Sequence, residues 1–124
     1  MKIILDTHIF LWALSEPDKI NPGNTAEITR LSNTIYVSSI SIAEIMIKSS
    51  LGKLDISFDP VEMVKNSGFE LLDFKGNDAL LLKEMPFHHK DPFDRMLIAQ
   101  SIANKFHIMS DDKMFQFYDC KLLK

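Results

Sequence analysis

The segment KIILDTHIFLWAL, residues 2–14, joins two kinds of regular structure at one acidic residue. Lys2–Leu5 is short, apolar and rich in β-branched residues, which predicts a buried strand. Ile9–Leu14 has the spacing of a helix and stops before Glu16-Pro17, where proline disfavours continuation. Asp6 lies between the two elements. A strand that leads directly into a helix is the unit from which α/β folds are built.

The same alternation continues through the rest of the chain. Further strands are predicted at Thr34–Ser38, Phe69–Leu72, His107–Met109 and Cys120–Leu123. Helices are predicted between them at Asn24–Leu31, Ser41–Leu51, Val61–Asn66, Asn77–Met85 and Asp91–Asn104. Strands connected by helices run parallel, with right-handed crossovers. We therefore expect an α/β fold, a three-layer helix–sheet–helix sandwich around a central, mostly parallel five-stranded sheet.

Length and composition describe one globular domain over residues 1–124. The chain has 124 residues, 46% hydrophobic and 25% charged, with a formal net charge of −3. Cys120 is the only cysteine, which excludes a disulfide scaffold. No apolar run approaches the roughly 20 residues of a membrane span, and the N-terminus does not resemble a signal peptide, so we expect a cytoplasmic protein. The net charge argues against nucleic-acid binding by bulk positive charge, but not against an enzyme that uses metal ions and local lysines.

Acidic residues follow predicted strands or begin the predicted helices. They are Asp6 after the first strand, Asp111 and Asp112 after the fourth, Glu44 after the second, and Asp91 and Asp94 before the fourth. The carboxyl ends of parallel strands share one edge of a sheet, where ligands bind. Carboxylates crowded there repel one another, and a divalent cation removes that penalty. Oxygen ligands favour Mg²⁺ or Mn²⁺ over zinc.

Taken singly, most of these acids also have a structural interpretation as helix caps. These caps would be Glu44 in a capping box with Ser41, Asp91 as an N-cap with Asp94 in the first turn, and Asp111 or Asp112 before a short helix at Lys113–Phe117. Asp6 has a less obvious capping role. Taken together, acids at one sheet edge favour a metal site.

Four segments resemble the motifs of PIN-domain proteins, specifically the VapC-like toxin ribonucleases of toxin–antitoxin pairs. They are Asp6-Thr7-His8 with Leu11-Trp12, Ser41–Ile45 with Lys48 and Leu51–Leu54, His88–Gln100, and Ser110–Asp112 with Phe115. His88–Gln100 is the most specific of them, and the set covers essentially the whole chain in order. The resemblance implies metal-dependent hydrolysis of RNA with Mg²⁺ or Mn²⁺. It also implies a homodimer and a VapB-like antitoxin as partner.

By the same resemblance, the catalytic and metal-binding acids are Asp6, Glu44, Asp94 and Asp112. Side chains beside them are expected to support these acids through hydrogen bonds or charge, namely Thr7, Asp91, Ser110 and Asp111. Basic residues near the motifs are candidate phosphate contacts, namely Lys48, Lys53, Lys90 and Arg95. The histidines match no common zinc spacing, and no cysteine pair accompanies them, so no zinc site is predicted.

Two other functions stay open on the sequence alone. One is a phosphoryl-transfer α/β enzyme, dehalogenase-like or receiver-like, that uses Asp6. A dehalogenase-like site needs an acid two residues further on, where this chain has His8. The other is a non-catalytic module that keeps the PIN scaffold to bind RNA or protein. Such a module would be expected to have lost some acids, and this chain has all of them.

Overall fold

The computed structural model describes residues 1–124 and has a five-stranded sheet at its centre. The strands are β1 Lys2–Leu5, β2 Thr34–Ser38, β3 Glu70–Leu72, β4 His107–Met109 and β5 Lys121–Leu123. Their order is β3-β2-β1-β4-β5, and every neighbouring pair is parallel. The expected α/β sandwich is confirmed, with a sheet that is parallel throughout.

Six α-helices connect the strands. They are α1 Thr7–Ser15, α2 Pro22–Thr29, α3 Ser39–Ser50, α4 Pro60–Asn66, α5 Gly76–Ala79 and α6 Pro92–Asn104. Three of them begin with proline, whose missing N–H has no partner to lose in the first turn of a helix. Short 3₁₀ turns occupy Pro17–Lys19, Leu80–Lys83 and Lys113–Phe117. The helix predicted over Asn77–Met85 is therefore a short α-helix that continues as a 3₁₀ turn.

Alternating side chains of the strands supply the two apolar layers. In β1, Ile3 and Leu5 enter one buried cluster with Ile45 of α3, and Ile4 enters the other with Leu97 of α6. All five side chains are fully buried. Burial of each such aliphatic side chain contributes on the order of 1.5–3 kcal/mol. The two clusters hold helices against both faces of the sheet. None of the helices has the length and apolar content that a bilayer crossing requires.

The order of the strands reverses beside β1. The chain adds β2 and β3 on one side of β1 and then returns to place β4 on the other. Asp6 follows β1 at this switch point, and its backbone N–H extends the ladder to the Met109 carbonyl oxygen at 3.0 Å. Open parallel sheets bind ligands at such points. A receiver-like sheet has the order 2-1-3-4-5, so the receiver-like alternative is not supported.

Candidate functional site

Asp6 connects the end of β1 to the start of α1. Its Oδ1 accepts a hydrogen bond from the Ile9 backbone N–H at 2.8 Å, which makes Asp6 the N-cap of α1. The residue is 3% exposed. Burial raises the pKa of Asp6 from 3.8 to about 6, and the nearby Ser110 hydroxyl and the Ile9 N–H oppose that rise. Asp6 therefore has a capping role that the sequence made less obvious, and its charge is costly where it lies.

Glu44 does not belong to a capping box, so that interpretation of Ser41 and Glu44 was wrong. The N-cap of α3 is Ser38, whose hydroxyl oxygen accepts from the Ile40 N–H at 3.0 Å. Since β2 leads into α3 without a loop, the helix begins earlier than predicted. Ser41 and Glu44 then lie within the helix, and both are buried.

Two side chains hold the Glu44 carboxylate in place. The Thr7 hydroxyl lies 2.7 Å from Glu44 Oε1 and 2.9 Å from Ser41 Oγ, which joins α1 to α3. Lys48, one turn further along α3, donates from Nζ to Glu44 Oε2 at 2.6 Å. The ion pair raises the pKa of Lys48 above its ordinary value, chiefly through the hydrogen bond with Glu44. Glu44 is thus a buried carboxylate with both oxygens engaged.

Asp91 and Asp94 divide two roles at the N-terminus of α6. Asp91 is the N-cap, and its Oδ1 accepts from the N–H groups of Phe93 at 2.8 Å and Asp94 at 3.3 Å. Asp94 points to the other acids. Burial first, and then the charge of Asp91, raise the pKa of Asp94 from 3.8 to about 7. The charges of Asp6 and Glu44 act in the same direction, so these carboxylates lie close enough to repel one another.

The segment after β4 carries Asp111 and Asp112. The buried Ser110 hydroxyl accepts from the Asp112 N–H at 3.0 Å, and Asp112 Oδ1 accepts from the Met114 N–H at 2.8 Å. Asp112 therefore caps the 3₁₀ turn Lys113–Phe117. Asp111 is exposed and acts on the site through its field, which is the smallest of the influences that raise the pKa of Asp6.

His89, which sequence reasoning left without a role, lies between two of the acids. Its Nε2 is 2.8 Å from Asp94 Oδ2 and 3.1 Å from Asp112 Oδ2. One donor atom from each of these residues lies within 4.8 Å of the others. The side chain of His89 is only 13% exposed. The pair His88-His89 beside an expected acidic ligand was the available signal, but its spacing matches no common metal motif.

The candidate phosphate contacts separate into two groups. Lys48 and Lys53 line a cavity of about 500 Å³ that also includes Thr7 and Glu44, and Lys90 is exposed. Arg95 is 6% exposed, and its guanidinium donates to the Pro86 carbonyl oxygen at 2.8 Å. The prediction of a phosphate contact for Arg95 was wrong, because this side chain is committed to the protein interior.

The site as a whole is a group of carboxylates at the switch point of the sheet. We call Asp6, Glu44, Asp94 and Asp112 the acidic site. The charges of Asp6 and Glu44 both act on Asp94, and Asp112 is linked to Asp94 through His89. Burial is the main cause of the raised pKa values of Asp6 and Asp94, and repulsion from neighbouring carboxylates adds to both. The oxygen-rich donors suit a hard divalent cation such as Mg²⁺ or Mn²⁺, which would relieve that repulsion.

Comparison with known proteins gives a family match and several matches in fold. The model of the PIN domain matches residues 3–119. The VapBC2 complex of Rickettsia felis, solved with a DNA fragment from the promoter, has a chain that is 20% identical with a TM-score of 0.75. That match covers 99% of this chain and 98% of the other. No curated protein matches the sequence significantly.

Two further structures share the fold at lower similarity. A chain of DNA-bound VapBC from Salmonella typhimurium is 18% identical with a TM-score of 0.65, covering 99% of this chain and 97% of that one. The PIN domain endonuclease Utp24 is 16% identical with a TM-score of 0.53, covering 93% and 74%. At such identities, the likeness is one of fold.

Proposed function

This chain belongs to the PIN-domain family, and from that premise we propose that it is a metal-dependent endoribonuclease. In this proposal, it hydrolyses RNA phosphodiester bonds and acts as the toxin of a VapBC-like toxin–antitoxin pair. Residues 1–124 form a single nuclease domain. The observation that supports the chemistry most is the placement of the buried Asp6 and Glu44 near the largely enclosed Asp94 at the switch point of the sheet, where their charges oppose ionisation of Asp94. A fold with no charge-dependent function has no reason to keep them there.

Mg²⁺ or Mn²⁺ is the proposed cofactor, and the acidic site would hold it. Bound there, it would polarise a phosphate oxygen and lower the pKa of a water molecule. Thr7 orients the Glu44 carboxylate, and the Ser110 hydroxyl stabilises ionised Asp6. The negative charges of Asp91 and Asp111 lie near the acidic site and favour binding of a divalent cation there. These side chains act on the acids, whereas the acids themselves are the proposed catalytic residues.

The RNA backbone would approach over the cavity that adjoins Glu44. Lys48 and Lys53 line this cavity, and the exposed Lys90 precedes α6. Lysines near an otherwise acidic surface attract phosphates locally, even though the net charge of the protein is negative. Lys48 has a second role, since it already pairs with Glu44. We propose all three as phosphate contacts and exclude Arg95.

The partners follow from the similar structures rather than from the site. The similar structures from Rickettsia felis and Salmonella typhimurium are VapBC complexes, and a further match from Mycobacterium tuberculosis is described as a member of the VapBC family of toxin–antitoxin systems. We propose a VapB-like antitoxin for this chain, a homodimer of the toxin, and action in the cytoplasm. Light scattering during size-exclusion chromatography checks the dimer, which a 14.2 kDa species at all concentrations would contradict.

The experiment that tests the function is cleavage of RNA with Mn²⁺ or Mg²⁺ by the purified protein and by Asp6→Asn and Asp94→Asn. Asparagine caps a helix as well as aspartate does, so Asp6→Asn keeps the start of α1. Asp94 is not a cap, and asparagine has the same size as aspartate, so Asp94→Asn keeps the packing at the start of α6. Loss of one metal-binding charge removes several kcal/mol of transition-state stabilisation, and each 1.4 kcal/mol is tenfold in rate. We therefore expect each variant to lose about 10³-fold in rate, and the exposed-acid control Asp18→Asn to lose none.

Two results would reject the proposal. RNA left intact by the wild-type protein with either metal would leave the binding-module alternative in place. Cleavage by Asp94→Asn at the wild-type rate would remove the acidic site from the mechanism. A stable phosphate adduct on Asp6 after incubation with acetyl phosphate would instead support the phosphoryl-transfer alternative.

A further inference from the structure

His89 forms a bridge between two carboxylates of the acidic site. Its Nε2 lies 2.8 Å from Asp94 Oδ2 and 3.1 Å from Asp112 Oδ2, and these distances are those of hydrogen bonds. The two acids come from different parts of the fold, α6 and the segment after β4. No other side chain contacts both of them through a hydrogen bond.

The other ring nitrogen indicates where the proton of His89 resides. The Asp91 backbone N–H donates to His89 Nδ1 at 3.3 Å, so Nδ1 offers its lone pair. In a neutral imidazole the proton is then on Nε2, which faces the two carboxylates. A metal ligand needs the opposite tautomer, with a lone pair on the coordinating nitrogen and an acceptor beside the other. His89 is therefore arranged to donate a hydrogen bond rather than to coordinate a cation.

The loop that carries His89 is fixed independently of the acids. The Tyr118 hydroxyl oxygen accepts from the N–H groups of His88 at 3.1 Å and His89 at 2.9 Å, and it donates to the Pro86 carbonyl oxygen at 2.8 Å. The His89 and Phe115 rings pack in a T-shaped arrangement, with ring centroids 6.0 Å apart. The position of the His89 ring is thus fixed by contacts that do not involve the carboxylates. The ring can therefore determine where the two carboxylates lie.

We propose that His89 is a positioning residue that sets the separation of the Asp94 and Asp112 carboxylates and so raises the affinity of the acidic site for its divalent cation. The inference depends on the proposed function, because it assumes that this site binds a metal. Without the bridge, the two like charges move apart, and binding must first bring them together. Hydrogen-bond partners of metal ligands typically change metal affinity by about 10–100-fold when removed.

The test is Mn²⁺ binding, measured by calorimetry on the full-length wild-type protein, His89→Ala, His89→Gln and the control His88→Ala. We expect His89→Ala to bind Mn²⁺ about 10–100-fold more weakly. His89→Gln carries an amide N–H at the same number of bonds from Cα and should recover most of the loss. His88 packs on Phe117 and Tyr118 and has no contact with the acids, so its variant should match the wild type.

A second readout separates positioning from coordination. Mg²⁺ and Mn²⁺ affinities should fall by the same factor in His89→Ala, because a residue that only positions the acids contacts neither ion. A selective loss of Mn²⁺ over Mg²⁺, unrestored by glutamine, would make His89 a ligand and overturn the inference. Unchanged or tighter metal binding by His89→Ala would overturn it as well.

Failure of the inference is distinguishable from failure of the proposed function. A wild-type protein that binds Mn²⁺ and cleaves RNA, together with a His89→Ala variant that binds equally well, rejects only the positioning role. A wild-type protein that neither binds Mn²⁺ nor cleaves RNA rejects both. Thermal unfolding of the metal-free variants reports whether His89→Ala keeps the fold, and His89→Gln provides the second variant if it does not.

Discussion

Asp94 and Arg95 are neighbours in α6 and carry opposite charges, yet they do not pair and serve two different regions. Arg95 points into a group of neutral acceptors, the arginine cluster, which comprises the Pro86 carbonyl at 2.8 Å, the Tyr118 hydroxyl at 3.2 Å and the Met85 carbonyl at 3.4 Å. The ring of Phe87 covers the guanidinium at 4.1 Å. Asp94 points to other acids, and burial first, then the charges of these acids, raise its pKa to about 7.

The comparison separates two uses of buried charge. In the arginine cluster, a permanent cation is satisfied by carbonyl and hydroxyl oxygens, and it holds the loop before α6 in place. In the acidic site, like charges are held together although they repel, which lowers stability in the absence of a cation. The first arrangement stabilises the folded protein. The second destabilises it and favours binding of a cation, which would offset the negative charge. Mutations in adjacent residues should therefore act in opposite directions on stability.

Arg95→Met should have the largest effect on stability. The change leaves several buried oxygens without a donor, and each such loss costs about 1–3 kcal/mol. We expect the free energy of unfolding to fall by roughly 3 kcal/mol, measured by urea denaturation. Arg30→Met is the matched control, because Arg30 forms an exposed ion pair with Glu27 that contributes little. Equal losses for both variants would contradict the role of the arginine cluster.

Asp94→Asn should stabilise the metal-free protein, in contrast to its neighbour. The folded protein retains the Asp94 proton up to about pH 7, whereas the unfolded chain releases it near 3.8. Between these values the folded state binds more protons, so wild-type stability is lost as pH rises through this window. The variant has no such loss. The free energy of unfolding of Asp94→Asn should exceed that of the wild type by about 1–2 kcal/mol at about pH 8, and the difference should vanish near pH 4.

Chemical denaturation of both proteins from about pH 4 to pH 8 measures this difference and cancels groups that titrate equally in both. Asp18→Asn, an exposed acid outside the acidic site, should show no pH-dependent gain. A constant difference between Asp94→Asn and wild type would show that Asp94 ionises as an ordinary surface carboxyl. Added Mn²⁺ should reverse the ranking, because only the wild type has the full set of carboxylates.

Lys48→Met should give the smallest effect. The change removes the ammonium group that pairs with the acidic site, since Lys48 Nζ lies 2.6 Å from Glu44 Oε2. Since the Lys48 side chain is 36% exposed, water replaces part of the interaction, and we expect a loss of about 0.5–1 kcal/mol in thermal unfolding. Lys53→Met, in the same cavity, should be neutral. If Lys48→Met lost more stability than Arg95→Met, the acidic site and not the arginine cluster would be the region that stabilises the fold.

The strands and their order of appearance were predictable, because short apolar runs between helices leave few alternatives. β1, β2 and β4 have the predicted bounds. The start of α3 was misplaced because serines at positions 38, 39 and 41 can each cap a helix, and only the direct passage from β2 selects Ser38. Local signals define elements well but do not choose between equivalent caps a few residues apart.

The acidic residues could be gathered from the rule for parallel sheets, but His89 and Arg95 could not be placed. Both depend on the path of the loop between the 3₁₀ turn Leu80–Lys83 and α6. That path is set by Tyr118, which lies far along the chain and binds the loop through its hydroxyl. No local pattern encodes such a contact, so a basic residue beside an expected ligand was assigned to phosphate when it is buried.

The N-cap made by Asp6 has an evolutionary consequence. One oxygen of Asp6 supports α1, and asparagine supports a helix start equally well. Aspartate and asparagine codons differ at one nucleotide, so a single point mutation abolishes the charge and spares the architecture. If the proposed function is right, a lineage would therefore lose the activity in one step while the outer surface of the protein stayed the same, and the inactive copy would compete for the same partners.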